Sequence, residues 1–442
     1  MCRMLFRYTC SRGQFFAIFI FQIMPGRGKK RSRESEGSTN GESKRHKIGH
    51  CSHRCEEGVV LVLGEGDVGQ LGLGEDVLER SRPTLLSSLD EKIIQVVCGG
   101  MHTVCVTAKG EIITFGCNDE GSLGRDTSEE GSEMLPGKVP LGAKVVQVSA
   151  GDSHTAALTD DGRLYIWGNF RDSNGSIGLT SGGIQKEPVE VLHNETIVKV
   201  TSGGDHLVCL TDKGEIYTWG CAEQGQLGRV AECFTSRGGR KGLSFILTPA
   251  KVKCRRRKTV FSDVWAGQFA TYAQESSTGE VFSWGLNNYF QLGFSDMQNR
   301  FVPERVGSFS GKKWLKLDGG QHHTVAMDTN GKVYTLGRSE YGRLGLGENV
   351  KTEKTEPTVV PGVPEDCMDI AAGQSVSFAL TKSGAVYGWG MGTSQQLGIG
   401  NDDDDAWIPT KMGGKQLENR SVIMVSSGGQ HTVLLAKDKQ TS

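Results

Sequence analysis

The chain lacks a hydrophobic run long enough to cross a membrane. Its most apolar stretch, "FFAIFIF" from Phe15 to Phe21, falls far short of the roughly 20 residues a spanning helix needs, so no membrane partner is expected. Proline is sparse, 11 in 442 residues, and the charges nearly cancel at −1. With only 23 % charged residues, the composition excludes a polyelectrolyte or an unfolded chain. The 12 cysteines are scattered through a chain too large to need staples, which reads as reduced thiols in the cytosol or nucleus. "HCSHRC", His50 to Cys55, is the one cluster of metal-ligand type, and no second pair of ligands completes it. The sequence also offers no pairing of nucleophile with base. No metal, cofactor or covalent chemistry is therefore expected.

What the chain has in abundance is glycine, 62 residues, and an uneven distribution of charge. Residues 1–55 hold twelve Lys/Arg against three Asp/Glu, so a basic arm precedes an acidic body. Residues 1–23 read as a hydrophobic extension outside the native protein, with Met24 as the usual start. Residues 24–55 then form a disordered basic arm. Lys29, Lys30 and Arg31, then Lys44, Arg45 and Lys47, have the layout of a two-part nuclear import signal, which a nuclear import receptor reads; the other reading is a solvated tail.

Self-similarity governs residues 56–440. A Leu-Gly or Ile-Gly pair ends at Gly72, Gly124, Gly178, Gly228, Gly293, Gly345 and Gly398, spaced 50–54 residues apart except for 65 between Gly228 and Gly293. Each unit carries β-branched and aromatic runs such as "VVQVSAG", "HTAALTDDG" and "RLYIWG", with Asp-Gly or Lys-Gly turns between them. About four strands per unit follow, and seven such sheets bury both faces only in a ring. The predicted fold is an all-β, seven-bladed propeller. "EGVVLVLG" (Glu57–Gly64) lacks the strand before it, and "SSGGQHTVLLAKD" (Ser426–Asp438) lacks the strand after it. The two halves complete one blade and close the circle.

His102, His154, His206, His323 and His431 share one repeat position, which Ala270 and Val376 take elsewhere; they read as packed structural histidines. At the neighbouring strand entrance stand Asp152, Asp205 and an extra His322, either a polar binding rim or turn-capping residues. One unit departs from the pattern in length. Six units place Leu seven positions after a strand-ending Gly; between Gly168 and Ile177 the count is nine. The insertion lies in "FRDSNGSIGL", whose Asn-Gly pair predicts a rigid hairpin tip with positive φ at both residues, or else an ordinary surface turn.

The repeat "AGDSHTAAL…GRLYIWG…GSIG", with "GCNDEGSLGRDTSEEGSEM", "RSEYGRLGLGE" and "GKQLENR", resembles the regulator-of-chromosome-condensation family over all seven units. The resemblance implies guanine nucleotide exchange on the small GTPase Ran, without covalent chemistry. It implies that Arg171, Asp172, Ser173, Asn174, Gly175 and Ser176 form a wedge that enters the GTPase. Asp152, Asp205 and His322 support exchange, and Asp67 is a further partner-facing acid. It also implies nucleosome binding. Arg237, Arg240 and Lys241 would anchor to the acidic patch of the nucleosome's histones, and Lys251, Lys253, Arg255, Arg256, Arg257 and Lys258 would lie along the DNA backbone. One broad side of the disc would then take the GTPase and the other the histones. A propeller scaffold that binds chromatin or proteins without exchange is the alternative.

Overall fold

The computed structural model describes residues 47–255, 259–400 and 404–439. The expectations for residues 1–23, for Lys29, Lys30, Arg31, Lys44 and Arg45, and for Arg256, Arg257 and Lys258 lie outside the described residues.

Each repeat unit forms one four-stranded antiparallel sheet, and the described residues make seven such sheets. In the blade that starts at Val145, the strands Val145–Ala150, His154–Thr159, Leu164–Gly168 and Gln185–Val191 lie in that order from the axis outwards. Burial explains the sequence of each strand. The second strand, flanked on both edges and covered on both faces, is buried at every residue, so "HTAALT" does not alternate with polar residues. The fourth strand has no fully buried residue, which accounts for the polar "QKEPVEV". The inner strands line a central channel of about 380 Å³.

The last blade is built from both ends of the repeat region, as expected. Val59–Glu65 pairs with His431–Asp438, with Val62 opposite Val433 and Gly64 opposite His431. The sheet order is Glu79–Leu85, Val59–Glu65, His431–Asp438, Arg420–Ser427. This hydrogen-bonded seam joins the first unit to the last and resists opening of the ring.

Two repeated signals prove to be one contact between blades. In three of the four "WG" pairs the Trp enters the preceding unit's Leu-Gly pair. Trp167 Nε1 donates to Ser122 O at 2.8 Å, Trp284 to Gln226 O at 2.9 Å, and Trp389 to Arg343 O at 3.1 Å. A Cβ on Gly124 would stand 2.6 Å from Trp167 Nε1, on a backbone at φ +65°. Only glycine leaves room for the ring there, and each buried indole removes roughly 150–250 Å² from water, about 4–6 kcal/mol before entropy is counted.

The repeated histidines join blades in the same way. His102 Nε2 bonds Thr155 Oγ1, His206 bonds Thr271 (both 2.9 Å), His323 bonds Ser377 (2.8 Å) and His431 bonds Thr103 (2.9 Å). Burial holds their imidazoles well below the usual range, to about 4 for His102 and about 3 for the other three, which keeps them neutral. The Thr or Ser that follows this repeat position is thus the partner of the histidine one unit earlier.

Residues 47–55 belong with the propeller rather than with the arm, whose boundary the sequence placed at 55. Ile48 N donates to Asp160 O at 2.9 Å, and His53 Nε2 lies 2.9 Å from Val198 O. Arg54 Nη2 reaches the buried Asp369 carboxylate at 2.6 Å, opposite Lys316 Nζ at 2.7 Å. An isolated buried carboxylate is costly; Arg54 and Lys316 compensate Asp369 together, and the segment is held across the channel mouth. The sequence carried no sign of this, because Asp369 is 315 positions from Arg54.

Candidate partner-binding site

Blade geometry decides which loops meet. His154 pairs with Gly168, so the turn between a blade's first and second strands emerges at the same end as the connection from its third strand to its fourth. The same pairing recurs for His206 with Gly220 and His323 with Gly337. Asp152, Asp205 and His322 are therefore brought to one end of the ring, along with residues 171–176 and Asp67. The segment 47–55 crosses the other end, where it meets the hairpin turn at Asp160.

The two extra residues make a separate two-stranded hairpin. Arg171 pairs with Ser176 and Asp172 with Gly175. The turn is centred on Ser173 and Asn174, not on Asn174-Gly175 as the sequence suggested. Asp172 Oδ1 accepts the Asn174 N–H at 2.8 Å, an Asx cap that fixes the turn one residue earlier. Of the six, Gly175 alone has a positive φ, +106°. The insertion also disturbs the joints described above. Ser176 is drawn into the hairpin, and Trp219 Nε1, unlike the other three "WG" indoles, has no hydrogen-bond partner among the described residues. Leu207 stands at the position where other units have Thr or Ser, so His154 finds no hydroxyl partner among the described residues; it packs edge-on against Phe170 at the hairpin base, 4.7 Å between centroids.

Neighbouring units then pin the hairpin from both sides. Asp205 Oδ1 accepts the Arg171 N–H at 2.7 Å. Glu223 accepts the Ser173 N–H at 2.9 Å and its hydroxyl at 2.6 Å. Glu120 pairs with the Arg171 guanidinium and accepts Asn169 Nδ2 at 2.7 Å. The backbone is thereby fixed, while Arg171, Ser173, Asn174 and Ser176 stay exposed. Glu120 and Glu223 stand in turns of regular length, so nothing in the sequence singled them out.

Asp205 is poised between two charge states. Burial, then the nearby Asp152, pushes Asp205 up to about 7. Asp152 is also raised by burial, against a 2.6 Å hydrogen bond from Gln268 Nε2. His322 is held down to about 4 by burial and by Arg343 and Arg338; its ring meets Tyr289 edge-on at 4.9 Å. Asp67 accepts Gln70 Nε2 at 3.1 Å.

The basic residues divide between the two ends. The connection from Gly220 to Ala250 leaves its blade at the hairpin's end, so Arg237, Arg240 and Lys241 lie on that side. This corrects the expectation of separate broad sides, because Arg237 Nη2 donates to Asp172 Oδ1 at 3.1 Å. Arg240 and Lys241 are exposed, and Lys241 Nζ sits over the Phe245 ring at 4.1 Å. Lys251 pairs with Glu215, and the exposed Lys253 and Arg255 follow on the chain's way to the opposite end. Among the described residues, His50, Cys51 and Asp263 come within 4.8 Å of one another. Protein groups already engage this trio: Lys199 Nζ lies 2.5 Å from Asp263 Oδ1, and Ser52 is bonded to His50 Nδ1 at 2.9 Å. An ammonium there disfavours a cation.

A family model described as the RCC1-like domain matches residues 59–434. The chain is 56 % identical over 408 residues to "Regulator of chromosome condensation" of Homo sapiens, covering 90 % of this chain and 96 % of that one. It is 30 % identical to "Guanine nucleotide exchange factor SRM1" of Saccharomyces cerevisiae, with coverage of 85 % and 86 %. The solved structure of Prp20p from Saccharomyces cerevisiae, described with its binding to Gsp1p and histones, superposes with a TM-score of 0.80 at 29 % identity, covering 91 % of this chain and 95 % of that one.

Proposed function

The chain belongs to the RCC1-like domain family, and on that premise we propose that it is a guanine nucleotide exchange factor for the small GTPase Ran, working on chromatin in the nucleus. The observation that carries this reading is the exposed hairpin 171–176, pinned by Asp205, Glu223 and Glu120. A hairpin ordered before docking loses little entropy on insertion. Small GTPases hold nucleotide through backbone amides, a lysine and Mg²⁺ around the phosphates. Only a protein that binds the empty form better than the loaded form shifts that equilibrium. The hairpin displaces the phosphate-binding elements, and Asp152 and Asp205 offer carboxylates to the donors so exposed. His322 and Asp67 extend the contact around the rim. No bond is made or broken, and no cofactor enters.

The chromatin reading rests on the cations. Arg240 and Lys241, which stay exposed beside the Arg237–Asp172 pair, face the acidic patch of the nucleosome's histones, where a guanidinium fork matches carboxylates. Lys251, Lys253 and the run Arg255–Lys258 take the DNA backbone without reading bases. The two basic runs ahead of residue 48 engage the import receptor. The exchange activity named for the yeast relative and the histone binding described for Prp20p support this assignment.

Release of labelled GDP from Ran tests it. The intact protein accelerates release; unchanged release leaves the scaffold reading in its place. Nucleosome binding, compared with that of the Arg240→Ala and Lys241→Ala variants, tests the chromatin half separately.

A further inference from the structure

Asp172 stands beside the turn of the hairpin, yet only 2 % of its side chain is exposed. Its Oδ1 accepts both the Asn174 N–H (2.8 Å) and Arg237 Nη2 (3.1 Å). Arg237 Nε lies 3.0 Å from Oδ2, close enough for a strong charge interaction but not aligned as a hydrogen bond. The same carboxylate thus closes the turn and receives a cation from a loop 65 residues later. That loop is bent to deliver it. Arg237 itself has φ +48°, in the left-handed region that favours glycine, and Gly238 and Gly239 follow at +76° and +52°. A non-glycine residue there costs about 1–2 kcal/mol and persists only where surrounding contacts hold it. Below it, Phe234, Leu243, Phe245, Ile246 and Leu247 pack into the same core as Phe170 and Ile177 at the hairpin's base. The loop and the hairpin therefore share one foundation as well as one ion pair.

We propose that Arg237 is a positioning residue for the hairpin, acting through Asp172 to set the direction in which residues 173–175 project. This rests on the exchange reading for its kinetic consequence, though not for its structural one. Asp205, Glu223 and Glu120 hold the near strand and the tip backbone; Arg237 holds the carboxylate on which the turn closes. A guanidinium edge grips one carboxylate at a time. With Arg237 committed to Asp172, Arg240 and Lys241 are the loop's exposed cations.

Deuterium uptake of a peptide covering residues 169–178, and steady-state GDP release from Ran, decide the matter in the full-length protein. Arg237→Ala speeds uptake in the hairpin about tenfold and lowers kcat for release roughly tenfold, with KM within about twofold. Arg237→Lys keeps the charge and restores part of both. Asp172→Asn keeps the Asn174 cap and loses the charge, so in that background Arg237→Ala produces little further loss. Unchanged uptake in Arg237→Ala overturns the proposal. So does unchanged kcat, or losses that simply add in the double variant. If Arg237→Ala fails to fold, the Arg237→Lys and Asp172→Asn variants decide it in its place, by the same uptake and kcat. Absence of any release by the unaltered protein defeats the exchange reading instead, and uptake still tests the positioning role.

Discussion

Asp205 allows the sharpest test of how the rim works, because one group both pins the hairpin and titrates near neutrality. Its Oδ1 takes the Arg171 N–H at 2.7 Å, and burial with Asp152 alongside raises it to about 7. A hydrogen bond to a charged acceptor is worth about 1.5–3 kcal/mol. Asp205→Ala, which leaves the Arg171 amide without that partner, is expected to slow GDP release from Ran roughly 10- to 100-fold. Asp205→Asn separates geometry from charge, since the amide oxygen still accepts the N–H but no longer ionises. The ionised fraction at a pKa of about 7 falls from roughly nine-tenths at pH 8 to one-tenth at pH 6. The unaltered protein should therefore lose up to about tenfold of its release rate across that range, and Asp205→Asn should show a flat profile. Spontaneous release from Ran at each pH is subtracted. An Asn variant that keeps the full pH response places the titrating group elsewhere, and an Ala variant with undiminished rate refutes the pinning role.

The joints between blades carry three further expectations. The neutral histidines His102, His206, His323 and His431 take up protons at about 4 or 3 in the fold but near 6.5 when unfolded. Their contribution is complete above about pH 6.5 and is lost as pH falls towards 3–4, at about 2 kcal/mol per histidine by pH 5. The raised carboxyls of Asp205 and Asp318 oppose this trend; a denaturation midpoint that does not fall between pH 7 and pH 5 contradicts it. Gly124→Ala should cost about 2–4 kcal/mol through its collision with Trp167, whereas Gly142→Ala, also at φ +65° but with open space around it, isolates the backbone share of about 1–2 kcal/mol; equal melting points for the two variants argue against the socket. Arg54→Ala should cost about 1–3 kcal/mol and speed tryptic cleavage after Lys47, which is already exposed but is anchored through the docked segment. Unchanged cleavage there means the segment 47–55 does not depend on the Asp369 contact.

Much of this architecture was legible because it is written once per repeat. The split closing blade followed from a strand missing at one end and present at the other, and the odd hairpin from a count of nine where six units count seven. The histidine position was read correctly as structural, since Ala270 and Val376 occupy it without harm to the pattern. What escaped the sequence was set by contacts between distant units. The cap on Asn174 moved the turn back by one residue because Asp172 precedes it, a local rule overlooked in favour of the Asn-Gly pair. Glu120 and Glu223 gain their roles only when three units lie side by side. Arg237 was assigned to a histone surface, and its meeting with Asp172 depends on a left-handed backbone that no residue type announces. The docking of Arg54 on Asp369 joins positions separated by nearly the whole ring.

On the exchange reading, two extra residues in one turn make a structural ring into an exchange factor. Replacing Asn169–Gly178 by the regular turn of the preceding unit, Cys117–Gly124, removes the hairpin and restores the common spacing while keeping the blade. GDP release from Ran, measured with this variant beside the unaltered protein at matched thermal stability, should fall to the spontaneous rate. A folded variant that still releases nucleotide at the full rate would contradict the account.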